Sequence, residues 1–241
     1  MRRELDWKLA LALAASVGAG AAFWHAWPLW PLKLLVVMMH ESSHALVATL
    51  CGATVQTISV NRLEGGLTTY LLVPSLWRGV AISSAGYCGS AAAGAALVAL
   101  ASRPRGRWLA WAFSGWLTLE TVLYVRDGFT FAFSVAMAGL FALLAAKAPD
   151  WLRRGALVFV GAFSCLYALF DIRDDLLRVG PSIGSDADAL AALTHIPALV
   201  WGVVWGLFGA GAMALALRAA LLRVPVAGPA EAGASPLQPQ P

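Results

Sequence analysis

Charged side chains are scarce in this sequence. Asp, Glu, Lys and Arg together make up 12% of the 241 residues, whereas 60% of the residues are hydrophobic, and the mean hydropathy is +0.73. A soluble domain of this length could not cover so much apolar surface with polar groups. The composition therefore excludes a soluble globular protein and predicts a membrane protein.

Cysteine is also rare. Cys51, Cys88 and Cys165 lie singly within apolar runs and form no CxxC pair. This spacing predicts neither a disulfide framework nor a cysteine metal site, and we expect the three side chains to pack as small hydrophobic groups.

The basic residues lie mostly in short segments between apolar runs, and they give the chain a net charge of +4. Such a distribution indicates membrane topology and not a nucleic-acid partner. The two densest basic loops, 103–107 and 147–154, fall on one side of the membrane, but with seven spans the basic N-terminus falls on the other. The positive-inside rule therefore leaves the orientation open.

Seven apolar runs have nearly the length of about 20 residues that a helix needs to cross a bilayer. They predict an all-α polytopic membrane protein, a bundle of six or seven transmembrane helices that forms a single domain over residues 1–223. We expect the first run to remain in the mature chain, because no clean signal-peptide cleavage site follows it. The runs are Leu9 to Trp27, Leu32 to Gly52, Val80 to Ala101, Trp108 to Val125, Phe129 to Ala146, Gly155 to Phe170 and Ile196 to Leu217.

Two segments interrupt the apolar pattern. Residues 54–73 contain two stretches rich in Val, Ile, Thr and Tyr on either side of the turn residues Glu64, Gly65 and Gly66. This pattern predicts a β-hairpin. Residues 224–241 are rich in Pro, Ala and Gly, which predicts a disordered tail.

The second apolar run contains the stretch MMHESSHA, from Met38 to Ala45. His40 and His44 are four residues apart, so on a helix both imidazoles lie on one face and can reach one tetrahedral zinc ion. Glu41 is adjacent and can act as the general base that takes a proton from water. The alternative is that neighbouring helices merely tolerate these polar groups, although ionisable residues within a spanning helix usually mark a functional site.

Several stretches resemble the site-2 protease family of intramembrane zinc metallopeptidases, and in particular its compact bacterial branch. They are HESSHALVATLCGATVQTISV, the following GG turn, AGYCGSAAAGA, and SDADALAALTHIPALVW from Ser185 to Trp201. The resemblance covers about residues 32 to 205. One departure is Ser43, where the family usually has glycine before the second histidine.

This resemblance implies a zinc cofactor and the hydrolysis of peptide bonds within or near the membrane. It implies a multi-pass protein of the bacterial cell membrane whose partners are membrane-protein substrates and the lipid bilayer. The hairpin would offer an edge to which an unwound substrate adds as a strand, since extended backbone inside a membrane must find new hydrogen-bond partners. The sequence does not indicate which residues bind the substrate.

A catalytic zinc site needs a third protein ligand. Asp127 ends the second span after the histidine helix and precedes Gly128, so it resembles the distal aspartate of the family and is our predicted third ligand; the alternative is a solvated pair with Arg126. Ser185 and Asp188 match a helix-capping box. The other acids that remain open as ligands are Glu120, Asp171, Asp174, Asp175, Asp186 and Asp188. We expect His25 and His195 to be interfacial or capping residues.

Two other classes of function are compatible with these residues. Intramembrane acids such as Glu41 and Glu120 could line the ion pathway of a transporter. The chain could also be a proteolytically inactive scaffold that keeps the fold and binds membrane partners.

Overall fold

The computed structural model of the chain describes residues 4–5, 11, 14, 18, 22–23, 26–101, 106–177 and 185–223. Over these residues the chain forms seven α-helices, which follow a short 3-10 turn at Trp27–Leu29. The helices are α1 (Trp30–Leu50), α2 (Leu76–Ala101), α3 (Gly106–Tyr124), α4 (Gly128–Lys147), α5 (Asp150–Leu177), α6 (Asp186–Thr194) and α7 (Ala198–Leu221). The strands are β1 (Glu4–Leu5), β2 (Thr54–Val60), β3 (Gly66–Leu71) and β4 (Leu222–Arg223), with β1 paired to β4 and β2 paired to β3.

The prediction of an all-α polytopic membrane protein is confirmed. Six of the seven apolar runs are helices, and the four helices α2, α4, α5 and α7 are long and apolar enough to cross a membrane. The three cysteines are free, as expected. The first run, Leu9 to Trp27, lies largely outside the described residues, and the predicted disordered tail lies wholly outside them.

The first half of helix α1 lies in the hydrophobic core of the bundle. Its apolar stretch from Leu34 to Met39 is buried without interruption, and it packs against α2, the β2–β3 hairpin and α5. A proline in the first turn begins the helix, where its missing N–H costs nothing. At the other end Gly52 has a φ of +84°, and the amides of Gly52 and Ala53 donate to the carbonyls of Thr49 and Ala48. This Schellman motif ends the helix and turns the chain directly into β2.

The predicted hairpin is confirmed, and its turn is fixed to α1. Strands β2 and β3 pair antiparallel, with Val60 opposite Gly66. Lys33 Nζ lies 2.9 Å from a carboxylate oxygen of Glu64 in the turn, and Trp30 Nε1 donates to the carbonyl of Arg62. These two contacts hold the hairpin beside the same helix that carries the histidines.

Helices α2 and α5 meet backbone to backbone at two glycines. A β-carbon at Gly94 would lie 2.6 Å from the carbonyl oxygen of Gly161, and a β-carbon at Gly161 would lie 2.5 Å from that of Gly94. No side chain fits at either position without moving a helix. Close packing of small residues is a main source of helix association within membranes.

We predict that Gly161→Ala destabilises the protein by roughly 1–3 kcal/mol, because the added methyl group overpacks the contact between α2 and α5. The control is Gly139→Ala in α4, where a β-carbon meets nothing within 4 Å, and we expect it to be unchanged or more stable by up to about 1 kcal/mol, because alanine favours a helix more than glycine does. Thermal unfolding of the two purified variants in the same detergent measures the difference. Equal stability of the two variants would contradict the proposed backbone contact.

Candidate metal centre

Helix α1 presents His40 and His44 toward α2, one helical turn apart. Their ring centroids are 4.7 Å apart and their Nε2 atoms are separated by 3.0 Å. The space for both rings exists because residue 86 is glycine. A β-carbon there would overlap His40 Nε2 and lie 2.5 Å from His44 Nε2.

The histidine rings are held by groups on α2. His44 Nδ1 lies 2.7 Å from the carbonyl oxygen of Ile82, and a carbonyl can only accept, so Nδ1 carries the proton. Nε2 of His44 is therefore left with a free lone pair, the arrangement that a metal-binding histidine needs. The ring of His40 meets the edge of Tyr87, whose hydroxyl donates to Asp171 at 3.1 Å.

Asp186 approaches the two histidines from the first turn of α6. Its Oδ2 lies 3.0 Å from His40 Nε2 and 3.1 Å from His44 Nε2. Burial would raise the pKa of this carboxyl, but the imidazoles of His40 and His44, when protonated, oppose burial through hydrogen bonds and their charge and hold the pKa well below its usual range. Within the described part of the chain, these three residues are the one group of at least three possible ligands that could hold a metal ion.

The donor set fits zinc. Two imidazole nitrogens and one carboxylate oxygen are a known three-ligand set of catalytic zinc sites. With bonds of about 2.0–2.1 Å, tetrahedral ligands lie about 3.3 Å from one another. The three atoms here are separated by 3.0 to 3.1 Å. The ion would fit if these atoms moved apart by a few tenths of an ångström.

Glu41 lies beside this cluster and faces the hairpin. The side chain is buried, with 6% of its surface exposed. Thr68 of β3 donates its hydroxyl to Glu41 Oε2 at 2.6 Å, and the same hydroxyl lies 3.0 Å from the backbone carbonyl of Glu41. The site therefore contains three clustered candidate ligands and one adjacent, anchored carboxylate.

A family model described as peptidase M50B-like matches residues 13–216. The chain belongs to the peptidase M50B-like family. This membership confirms the resemblance to site-2 proteases and makes the protein a membrane metallopeptidase of the site-2 protease kind. No curated protein and no solved structure matches the chain.

The structure of this M50B-like chain places the predicted third ligand, Asp127, away from His40 and His44. Asp127 is the N-cap of α4, and its Oδ1 accepts from the Thr130 amide at 2.8 Å. It is not part of the group that His40 and His44 form. The physical reason is that the unpaired amides at the start of α4 need an acceptor, and Asp127 supplies one. Asp186 takes its place as the proposed ligand.

The other acids that the sequence left open have separate partners. Glu120 of α3 is buried and accepts a hydrogen bond from Ser42, and Asp171 accepts from Tyr87. Asp188 forms the predicted capping box with Ser185, whose hydroxyl accepts from the Asp188 amide at 3.2 Å. The side chains of Asp174 and Asp175 lie outside the described residues.

The two remaining histidines are not ligands in the described cluster. His195 is the C-cap of α6, in the left-handed conformation with a φ of +61°, so its expected capping role is confirmed. His25 lies outside the described residues.

One feature of the sequence could have identified Asp186. The capping box at the start of α6 uses Ser185 and Asp188, which leaves Asp186 in the first turn with no part in the cap. A carboxylate that is not needed by its own helix is available to another element. Its position in the chain, 146 residues after His40, gave no indication of which element that would be.

We predict that Asp186→Ala weakens zinc binding by more than roughly 100-fold, since even outer partners of metal ligands are worth about 10–100-fold in affinity. Asp127→Ala should keep the metal and lose about 0.5–2 kcal/mol of stability, the cost of a helix cap. Elemental analysis of both variants, after equilibration with zinc and gel filtration, measures the metal retained. Loss of zinc from Asp127→Ala with full retention by Asp186→Ala would restore the original prediction.

Proposed function

We propose that the protein is a zinc-dependent intramembrane endopeptidase that hydrolyses peptide bonds of membrane-embedded substrates. The observation that carries this proposal is the convergence of His40, His44 and Asp186 next to the buried carboxylate of Glu41. Membership of the peptidase M50B-like family supports it.

The side chains have distinct roles in this mechanism. His40, His44 and Asp186 would hold the zinc ion, which when bound lowers the pKa of water and polarises a carbonyl group. Glu41 acts as general base and takes a proton from the attacking water. The same carboxyl group then returns the proton to the leaving amine. Burial of Glu41 and His44 limits the access of other water to the reacting groups.

The proposed substrate is a membrane protein, in keeping with a multi-pass location in a bacterial cell membrane. A transmembrane helix hides its carbonyl groups in hydrogen bonds, so the segment to be cleaved must first become extended. Strand β3 lies next to Glu41 and, in the described part of the chain, pairs only with β2. Addition of the extended segment to this sheet would satisfy the released backbone groups close to the general base.

We predict that Glu41→Gln keeps the zinc content of the wild type and abolishes cleavage of a model transmembrane substrate, because the amide cannot accept the proton. Glu120→Gln is a matched control, since this carboxylate is also buried but accepts a hydrogen bond from Ser42 and is not one of the clustered candidate ligands. The control should retain metal and cleavage. Undiminished cleavage by Glu41→Gln would rule out the assigned base, and an inert wild type that holds zinc would favour the inactive scaffold.

A second prediction concerns the hairpin. Thr57→Pro removes an amide that donates to Thr69 Oγ1 at 3.2 Å, and proline also disrupts strand pairing. Because no candidate ligand lies on the hairpin, we expect this variant to lose most cleavage activity while zinc content falls little. Parallel loss of zinc and cleavage would show that the hairpin supports the fold and not the substrate.

A further inference from the structure

Strand β3 contacts the carboxylate of Glu41 at two points, through Thr68 and through Gly66. We propose that β3 positions the general base: the Thr68 hydroxyl anchors the carboxylate, and the missing side chain at Gly66 gives it room. This inference rests on the proposed function of Glu41. Thr68 and Gly66 are positioning residues, because they act through Glu41 and are not themselves candidate metal ligands.

The Thr68 contact is a charge-assisted hydrogen bond. Its hydroxyl lies 2.6 Å from Glu41 Oε2, within the range of about 2.5–2.7 Å for hydroxyl groups that donate to carboxylates. A free glutamate side chain samples many rotamers, and fixing a long side chain costs conformational entropy. The hydrogen bond offsets that cost and selects one orientation of the carboxylate.

The contact at Gly66 is steric. A β-carbon at this position would overlap Glu41 Oε1 and would lie 2.6 Å from Cγ and 2.7 Å from Cδ. Any other residue would therefore push the carboxylate away from its place. At the neighbouring Gly65 a β-carbon would instead approach the side chain of Asn61, at 2.7 Å from Nδ2, so the two glycines of this turn have separable roles.

The strand can position Glu41 only if the strand itself is fixed. Its turn is tied to α1 by the ion pair between Lys33 and Glu64. On the neighbouring strand, the amide of Val60 donates to Thr130 Oγ1 at 2.9 Å, and the Thr130 hydroxyl donates to the Val60 carbonyl at 3.1 Å. Glu41 and its support are thus anchored to the same helix and, through α4, to the rest of the bundle.

The first test replaces Thr68 in the purified full-length protein and measures kcat, KM and zinc content with a model transmembrane substrate. Thr68→Val keeps the shape but removes the hydroxyl, and we expect kcat to fall about 10–100-fold, part of the 10²–10⁴-fold that a positioned base contributes. KM and zinc content should stay near the wild-type values. Thr68→Ser restores the hydroxyl and should recover kcat to within about threefold of wild type.

The second test compares the two glycines. Gly66→Ala should lower kcat by at least as much as Thr68→Val, because the methyl group displaces the carboxylate directly. Gly65→Ala adds the same methyl group one residue away, toward Asn61, and should lower kcat by less than about threefold, as expected when the base is not displaced.

The proposal is overturned if Thr68→Val cleaves as fast as the wild type, or if Thr68→Ser is as impaired as Thr68→Val. It is also overturned if the loss of kcat is accompanied by an equal loss of zinc, which would indicate a structural role. Glu41→Gln separates this outcome from a failure of the proposed function. If that variant is inactive and Thr68→Val is fully active, Glu41 is the base but β3 does not position it.

Discussion

The contact between Asp186 and the two histidines of α1 links the chemistry of the site to the packing of the helices. Polar groups inside an apolar bundle are costly, about 2.5–3.5 kcal/mol for a charged residue on insertion scales, unless they satisfy one another. His40 and Asp186 are separated by 146 residues, so their contact requires α1 and α6 to meet within the bundle. The tertiary arrangement is therefore inseparable from the chemistry of the site.

Small residues make this arrangement geometrically possible. Gly86 leaves space for both imidazoles, and Gly89 lies against Ser43, so the serine of this chain is small enough for α2 to approach α1. Farther along α2, Gly94 provides the backbone contact with α5. These positions contribute little hydrophobic area. They instead allow the helices to approach closely, and the distance between helices decides whether ligands from different helices can bind one metal ion.

Much of the fold and part of the site could be predicted from the sequence because they depend on local patterns. The four-residue spacing of His40 and His44 places both on one helical face, and the hairpin follows from strand propensity around a glycine turn. The proposed third ligand is a different case, since coordination chemistry fixes the type of ligand but not its separation in the chain. Asp127 follows a span and precedes glycine, as expected for the ligand, yet the amides of α4 require it as a cap.

The proposed function requires one metal ion held jointly by α1 and α6. The most direct measurement is an anomalous difference map at the zinc absorption edge from crystals of the zinc-loaded protein. We expect a single peak about 2.0–2.2 Å from His40 Nε2, His44 Nε2 and an Asp186 carboxylate oxygen. A peak that is coordinated by the two histidines and Asp127, or no peak next to the histidines, would contradict it.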